Sequence, residues 1–270
     1  MTSDLPTSPA PSGSALSGPA LSGSAPVRGV LFDIDDTLFD YSSSERSGLL
    51  AHLAALDLLD RFPDSEELVA VWRRFVDEEH ARFLAGEQTF TEQQLSRTRR
   101  FLSHLGCLPA EGISDSEAAA WFAGYVSHRD ARWAAFPDAA PLLESLASAY
   151  RLGVISNSSH DHQLRKLERI GLLAYFGAAI VCSESHGTAK PHPSIFRAGC
   201  ALLGLPPHEV AYVGDKYAVD AVGARDAGLQ AYWLDRTGAS AGPASERGIQ
   251  VISSLAELPA LLRLRADDRD

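Results

Sequence analysis

The segment from Val30 to Leu38 constrains the fold more than any other part of the chain, because an apolar run passes directly into three carboxylates within four residues. The Val-Leu-Phe run that opens it predicts a short buried strand, and such a strand has little use for charge. Clustered carboxylates repel one another and are costly to bury. A divalent cation is the usual compensation for clustered carboxylate oxygens, although a solvated acidic turn would also explain this segment on its own.

The composition of the chain limits its partners. Its net charge of −11 disfavours a nucleic acid polymer, because binding to a phosphate backbone depends on accumulated Lys and Arg. No run approaches the ~18 apolar residues needed to cross a bilayer, so we expect no membrane partner. The three cysteines show neither close pairing nor metal-binding spacing, which is typical of free thiols in a reducing cytoplasm. A small phosphorylated ligand held by one or two local cations is compatible with this composition.

Lysine is rare in this chain. Among 24 basic residues there are only three lysines, Lys166, Lys190 and Lys216. This bias makes the position of each lysine informative.

Residues 1–26 are predicted to form a disordered tail. They contain no Lys or Arg, and their Ser, Gly, Ala and Pro content offers almost nothing for a core. A signal peptide would need a basic region followed by a continuous apolar region, and neither is present.

Residues 42–135 are predicted to be almost entirely helical. Apolar side chains recur there at helical spacing, as in Leu49, Leu50, Leu53, Leu56 and Leu59. No convincing strand interrupts the block. We therefore treat it as a helical insertion.

From residue 136 onward, short apolar strands alternate with helices, which is typical of a parallel α/β sheet. The predicted strands are 152–155, 179–181, 210–213 and 230–234. The predicted helices are 139–149, 163–170, 194–203 and 219–227. The opening strand at 28–32 has no partner nearby, so we expect it to join this sheet. The predicted α/β core thus comprises residues 27–41 and 136–270.

Polar side chains follow four of the predicted strands, and ligands of open α/β sheets bind at the carboxyl ends of strands. These side chains are Asp33, Asp35 and Thr37, then Ser156 and Asn157, then Lys190, then Asp215 and Asp220. Each has an ordinary alternative role in a turn, a helix cap or a solvated surface. Their joint occurrence in this order favours a single site.

Such a set of groups suits phosphoryl transfer. One carboxylate can attack a phosphoryl group and form an aspartyl-phosphate. A second can protonate the leaving alkoxide and later activate water. Mg²⁺ would neutralise the repulsion between carboxylate and phosphate, while a hydroxyl, an amide and an ammonium hold the transferring oxygens.

These residues resemble the motifs of the haloacid dehalogenase-like (HAD) hydrolase superfamily. The similarity covers roughly residues 28–236, and four ordered motifs together are highly specific. The first motif is matched by the segment Asp33-Ile34-Asp35-Asp36-Thr37, and the others are matched by Ser156, by Lys190 and by Gly214-Asp215 with Asp220.

The resemblance implies a Rossmann-like core with residues 42–135 as an α-helical cap. It implies that Asp33 is the nucleophile and Asp35 the general acid/base. Mg²⁺ would be bound by Asp33, the backbone carbonyl of Asp35 and Asp215, with Asp220 supporting the metal site. The implied phosphate-binding residues are Thr37, Ser156, Asn157 and Lys190.

Asp35 also bears on the reaction. The dehalogenase branch of the superfamily lacks an acid at this position, and the phosphonate-cleaving branch uses a cap lysine, which residues 42–135 do not contain. We therefore expect a phosphatase for a small phosphorylated metabolite. The alternatives are a sugar phosphomutase, a nucleotidase-type member and a ligand-binding relative without turnover.

Two further features of the sequence allow more than one interpretation. Lys216 stands where the family often has a small hydroxyl residue, and it either faces solvent or contacts the substrate. The cap arginines could bind a second anionic group of the substrate, although most should lie on solvated helix faces; they include Arg73, Arg74, Arg82, Arg97, Arg99, Arg100, Arg129 and Arg132. Metal binding by His160-Asp161-His162 is not expected.

Overall fold

The structure is a computed structural model, and it describes residues 26–107, 109, 112–238 and 248–267. The predicted tail, residues 1–26, lies outside the described residues except for Pro26. No described helix combines the length and apolar character that crossing a membrane requires.

A parallel sheet organises the core. Within the described residues it has six strands: Gly29–Phe32 (β1), Arg151–Ser156 (β2), Ile180–Cys182 (β3), Val210–Gly214 (β4), Gln230–Leu234 (β5) and Ile249–Ile252 (β6). Their order across the sheet is β3-β2-β1-β4-β5-β6. The completely buried β1 lies in the middle, so its carboxyl end is flanked by those of β2 and β4.

A helical bundle is inserted directly after β1. Its helices are Tyr41–Ala55 (α1), Ser65–Leu84 (α2), Phe90–His104 (α3) and Asp115–Asp130 (α4), with a 3₁₀ turn at Leu59–Arg61. Capping boxes begin α3 at Thr89 and α4 at Ser114, where each cap side chain and the third helical residue satisfy each other's backbone groups.

The bundle has its own apolar core, which contains Leu49, Trp72, Phe101 and Tyr125. Helices α1 and α4 pack closely at Gly48, where a Cβ atom would lie 2.5 Å from the Cα atom of Arg129. Because such a contact is sterically impossible, glycine is required at this crossing. The bundle is therefore a compact unit built on its own packing.

The remaining helices cover both faces of the sheet. They are Ala139–Leu146 (α5), His160–Arg169 (α6), Ser183–His186 (α7), Pro193–Leu203 (α8), Val222–Asp226 (α9) and Leu258–Asp267 (α10). Short 3₁₀ turns lie at Leu173–Tyr175, Pro207–Glu209 and Leu255–Glu257, and a π-helical turn at Tyr217–Ala221 precedes α9. Helices α5, α6 and α10 pack on one face of the sheet, and helices α8 and α9 pack on the other.

The predicted α/β fold class is confirmed, but α7, β6 and α10 were not predicted, and several helix boundaries differ from the predicted ones. Strand β6 was missed because its sequence, Ile-Gln-Val-Ile, is short and half exposed. Helix α10, near the end of the chain, was also missed. The helix predicted at 219–227 begins two residues earlier, as the π-helical turn, and becomes α-helical only at Val222.

Candidate active site

One cavity of about 850 Å³ lies between the carboxyl edge of the sheet and the helical bundle, and it is lined by the predicted site residues Asp33, Asp35, Ser156, Asn157 and Lys190. Its floor is formed by side chains that follow β1, β2 and β4, and its roof by side chains of α1 to α4. All three lysines of the chain line it: Lys166, Lys190 and Lys216. The rare residue type is thus concentrated at this cavity.

Lys190 joins the carboxylates that follow β1 and β4. Its Nζ donates to Asp33 Oδ1 at 2.6 Å, to Asp220 Oδ1 at 2.7 Å and to the Tyr212 hydroxyl at 2.9 Å. The Tyr212 hydroxyl also donates to Asp220 Oδ1, at 2.8 Å. The Asp33, Asp220 and Lys190 side chains are almost completely buried, so these charges compensate one another out of contact with water.

The electrostatics of Asp33 reflect this burial. Desolvation raises its pKa, the charge of Lys190 lowers it and the charge of Asp220 raises it again, giving a value of about 6. Burial alone would lower the pKa of Lys190, but the charges of Asp220 and Asp33 outweigh that effect and raise it. Lys190 is therefore a permanent ammonium beside Asp33.

Asp215 completes a cluster that suits a divalent cation. One oxygen from each of Asp33, Asp215 and Asp220 lies within 4.8 Å of the others. The Oδ1 atom of Asp215 is buried and has no hydrogen-bond partner among the described residues. Burial and the charges of Asp33 and Asp220 raise the pKa of Asp215 to about 8. Hard oxygen donors that repel one another fit Mg²⁺ well, because the ion supplies the missing positive charge.

Gly214 is what allows Asp220 to approach this cluster. A Cβ atom on Gly214 would lie 2.4 Å from the Cγ atom of Asp220. The backbone N–H of Lys216 donates to Asp220 Oδ2 at 2.9 Å, which fixes the loop after β4. Both Asp220 oxygens are thus occupied by protein donors, so Asp220 is placed to orient the cluster.

Asp35 belongs to a second buried network. Lys166 Nζ contacts Asp35 Oδ1 closely, and Gln163 Nε2 donates to Asp35 Oδ2 at 2.8 Å and to Ser156 Oγ at 2.9 Å. Burial would raise the pKa of Asp35, but the charge and hydrogen bond of Lys166 outweigh it and lower the pKa to about 2. Asp35 is therefore ionised at neutral pH in this arrangement.

The hydrogen bonds of Asn157 and Thr37 involve backbone groups of the loops around the site. The Asn157 amide accepts from the Lys190 backbone N–H at 2.7 Å and donates to the Lys190 carbonyl at 2.9 Å, which holds the Lys190 loop against β2. Thr37 is completely buried, its hydroxyl has no partner among the described residues, and its carbonyl accepts from Arg236 at 2.9 Å.

Asp36 has a structural role. Its φ of 60° lies in the left-handed region, which Asp tolerates better than most residues. Its carboxylate accepts from the backbone N–H and the hydroxyl of Ser42, both at 2.8 Å, at the start of α1. The third carboxylate of the opening motif therefore fixes the entry to the bundle.

Lys216 lines the cavity with an exposed side chain and forms no ion pair within the described part of the chain. Partial desolvation within the cavity would lower the pKa of Lys216, but the charges of Asp215 and Asp33 outweigh that effect and raise it. Its ammonium is thus placed near the metal-type carboxylates and free to reach a ligand.

Sequence reasoning missed Gln163 and Lys166 as site residues. They lie three residues apart on α6, a spacing that places both on one helix face. The rarity of lysine was the available signal for Lys166. No motif pointed to Gln163, whose role depends on how α6 packs over β2.

Comparisons with known proteins give a family match and named relatives. A family model described as haloacid dehalogenase-like hydrolase matches residues 27–228. N-acylneuraminate-9-phosphatase of Rattus norvegicus is 28% identical over 246 residues, which covers 88% of this chain and 94% of that protein. Glyceraldehyde 3-phosphate phosphatase of Methanothermobacter thermautotrophicus is 30% identical over 209 residues, covering 76% and 84%.

A solved structure gives the same fold. The magnesium-bound putative HAD-hydrolase YfnB of Bacillus subtilis superposes with a TM-score of 0.69 at 22% identity, covering 88% of this chain and 99% of that chain.

Proposed function

The chain belongs to the haloacid dehalogenase-like hydrolase family, and on that basis we propose that it is a Mg²⁺-dependent phosphatase acting on a small phosphorylated metabolite. Relatives named as phosphatases support the reaction class. The observation that carries the proposal is the contact of Asp33 with Lys190 at 2.6 Å, beside the partnerless oxygen of Asp215.

Asp33 is the nucleophile in this proposal. One of its oxygens attacks phosphorus and the ester P–O bond breaks, which leaves an aspartyl-phosphate and an alkoxide. Lys190 binds a phosphoryl oxygen in addition to its contact with Asp33. Ser156 and the loop held by Asn157 provide the remaining contacts to the phosphate. Asn157 acts on phosphate through its hold on Lys190. Thr37 supports the turn from within the core.

Asp35 transfers the protons. The ionised form that Lys166 favours can accept a proton from water when the aspartyl-phosphate is hydrolysed, which releases inorganic phosphate and restores Asp33. The first step needs the protonated form. A bound phosphate dianion next to Asp35 raises its pKa by like-charge repulsion, so substrate binding itself favours proton uptake.

The metal site proposed for Mg²⁺ consists of Asp33, the backbone carbonyl of Asp35 and Asp215, with Asp220 in support. Bound there, Mg²⁺ would neutralise the charge shared by carboxylate and phosphate. Asp220 holds Lys190 and the Lys216 backbone in place on one side of this site.

The helical bundle acts as the cap, comprising residues 42–135. A ring contact between Phe90 of α3 and His162 of α6, with centroids 6.4 Å apart, joins the bundle to the core at the cavity. Exclusion of water there strengthens the electrostatic interactions on which phosphoryl transfer depends. We place the enzyme in the cytoplasm, which the three free cysteines support.

Dehalogenation is the reaction to distinguish, since a 2-haloacid dehalogenase of Pseudomonas syringae shares the fold with a TM-score of 0.60 at 26% identity. A halide leaves without a proton, whereas an alkoxide needs one. The networked carboxylate of Asp35 therefore favours ester hydrolysis over dehalogenation.

The test is a screen for phosphate release with Mg²⁺ and with EDTA. The panel contains p-nitrophenyl phosphate, N-acetylneuraminate 9-phosphate, glyceraldehyde 3-phosphate, a nucleotide and a sugar phosphate, with 2-chloropropionate as the dehalogenase control. We expect Mg²⁺-dependent release from phosphate esters and no chloride. Chloride release, or isomers of the sugar phosphate in place of inorganic phosphate, would refute the proposal.

A further inference from the structure

Arg97 of α3 is a buried arginine without an ion partner. It is 6% exposed, and within the described residues no carboxylate lies within ion-pair distance of it. The other buried cations at the cavity are paired, Arg129 with Asp130 and the two buried lysines with aspartates. An unpaired buried charge is costly, so its presence at a cavity requires an explanation.

Aromatic rings hold the Arg97 guanidinium in place. Its Cζ lies 4.8 Å from the centroid of Phe122 and 5.5 Å from that of Trp72. These contacts fix its orientation but supply no hydrogen-bond acceptor, and its Nε has no partner among the described residues. The Arg97 guanidinium is thus held in one orientation while its Nε–H donor is unused, as is expected of a group that is preorganised for a ligand.

Gln93 lies one helical turn before Arg97 and also has an unsatisfied polar atom, but that atom is a hydrogen-bond acceptor. It is buried and lines the same cavity, and its Oε1 has no hydrogen-bond partner in the described chain. The spacing of four residues places the two side chains on one face of α3. At this cavity Arg97 therefore offers a donor that suits an anion, and Gln93 offers an acceptor beside it.

The nearby acidic groups do not neutralise Arg97. Glu45 contributes a negative charge in its vicinity, but its carboxylate already accepts from Tyr41 at 2.9 Å and from Arg73 at 3.2 Å. Asp77, also at the cavity, is exposed and forms no ion pair with Arg97. The charge of Arg97 is left for a ligand.

We propose that Arg97 binds a carboxylate of the substrate, so that the enzyme acts on phosphorylated carboxylic acids. This inference rests on the proposed phosphatase function and names its substrate class. The phosphate lies at Asp33 and Lys190, and the carboxylate lies at the roof of the cavity. A planar guanidinium matches a carboxylate with two parallel hydrogen bonds. A second phosphate dianion would carry more charge than a single arginine can compensate in a buried place.

The experiment compares 3-phosphoglycerate with glycerol 3-phosphate, which differ only in a carboxylate replaced by a hydroxymethyl group. Affinities are measured by calorimetry with Mg²⁺ in the Asp33→Asn background, which prevents turnover. We expect tighter binding of the acid, and a loss of about 10- to 100-fold for the acid alone when Arg97→Met is added. Arg97→Lys keeps the charge without the fork and should recover part of the loss.

The matched control is Arg100→Met on the same helix, because Arg100 pairs with Glu78 and Glu79 away from the cavity. It should leave both affinities unchanged. Equal binding of the two ligands, or equal losses for both in Arg97→Met and Arg97→Lys, would overturn the inference. Fructose 1,6-bisphosphate is the third ligand, and an Arg97-dependent preference for it would overturn the carboxylate assignment.

Phosphate release from p-nitrophenyl phosphate by the wild-type enzyme is measured separately. This ester has no carboxylate, so its hydrolysis reports the proposed phosphatase function and its failure would not be confused with failure at Arg97.

Discussion

The floor and the roof of the cavity differ in how completely their buried cations are paired. At the floor, Lys190 contacts Asp33 and Asp220, and Lys166 contacts Asp35, so each buried ammonium has a carboxylate. At the roof, Arg129 is paired with Asp130, whereas Arg97 is buried among aromatic rings without a carboxylate partner.

We relate this difference to two tasks, which are phosphoryl transfer at the floor and substrate selection at the roof. Compensated charges at the floor are rigid before the substrate arrives, which suits the positioning that phosphoryl transfer needs. The uncompensated charge at the roof is stabilised only when a ligand supplies the counter-charge. In the function that we propose, the floor serves any phosphate ester and Arg97 at the roof discriminates among them.

The largest expected effect is at the nucleophile. Asp33→Asn should lower turnover on the order of 10⁴-fold or more, because the covalent step is lost while the fold is kept. Phosphate release under saturating p-nitrophenyl phosphate measures it. The matched control is Asp36→Asn, since Asp36 serves Ser42, and its turnover should stay close to wild type. Turnover by Asp33→Asn near the wild-type rate would exclude Asp33 as nucleophile.

The next effect is on stability at the floor. Lys190→Met removes the cation between two buried carboxylates, so we expect a loss of about 3–5 kcal/mol in the free energy of unfolding. Urea unfolding measures it. A loss below about 1 kcal/mol would show that the floor charges are not mutually compensated.

Mg²⁺ should stabilise the protein more as the pH rises. The folded-state pKa values of Asp33 and Asp215, about 6 and about 8, lie above the usual 3.8. Their contribution to stability without metal is therefore fully present below pH ~4 and is lost as the pH rises through these values. Mg²⁺ binds the ionised forms and offsets the loss.

Thermal unfolding with Mg²⁺ and with EDTA from pH 5 to pH 8 checks this dependence. The Mg²⁺-induced rise in Tm should grow with pH in the wild type and disappear in Asp215→Asn. A rise that is constant with pH would contradict the cluster as the metal site.

The smallest effect is expected at the roof. Arg97→Met removes an unpaired buried charge and keeps an apolar side chain against Trp72 and Phe122, so the free energy of unfolding should change by less than about 1 kcal/mol. Urea unfolding of Arg97→Met and of Lys190→Met under the same conditions measures both changes. A loss as large as that for Lys190→Met would mean that Arg97 is a structural cation, and the contrast between floor and roof would fail.

The floor was more predictable from sequence than the roof. The predicted family and α/β fold class are confirmed, and the predicted reaction class, a phosphoric monoester hydrolase, agrees with the names of the relatives. Each motif follows a strand, and parallel strands bring their carboxyl ends together, so local sequence implies a shared site. The roles of the individual site residues stay predictions.

The roof lacked any comparable signal. Arg97 was one of ten arginines in the predicted cap, and only tertiary packing distinguishes it. The pairing of Lys166 with Asp35 was also not predictable. Helix periodicity shows which side chains share one face of α6, but it does not show which element that face packs against. Side chains whose partners lie far along the chain need the structure.

The central claim, that phosphate passes through a covalent bond to Asp33, is tested most directly by the stereochemistry at phosphorus. The substrate is a phosphate ester made chiral at phosphorus with oxygen isotopes, and the acceptor is an added alcohol, so that the product keeps a chiral phosphorus. Two successive in-line displacements, first by Asp33 and then by the acceptor, predict overall retention of configuration. Inversion would mean a single direct displacement and would contradict the account.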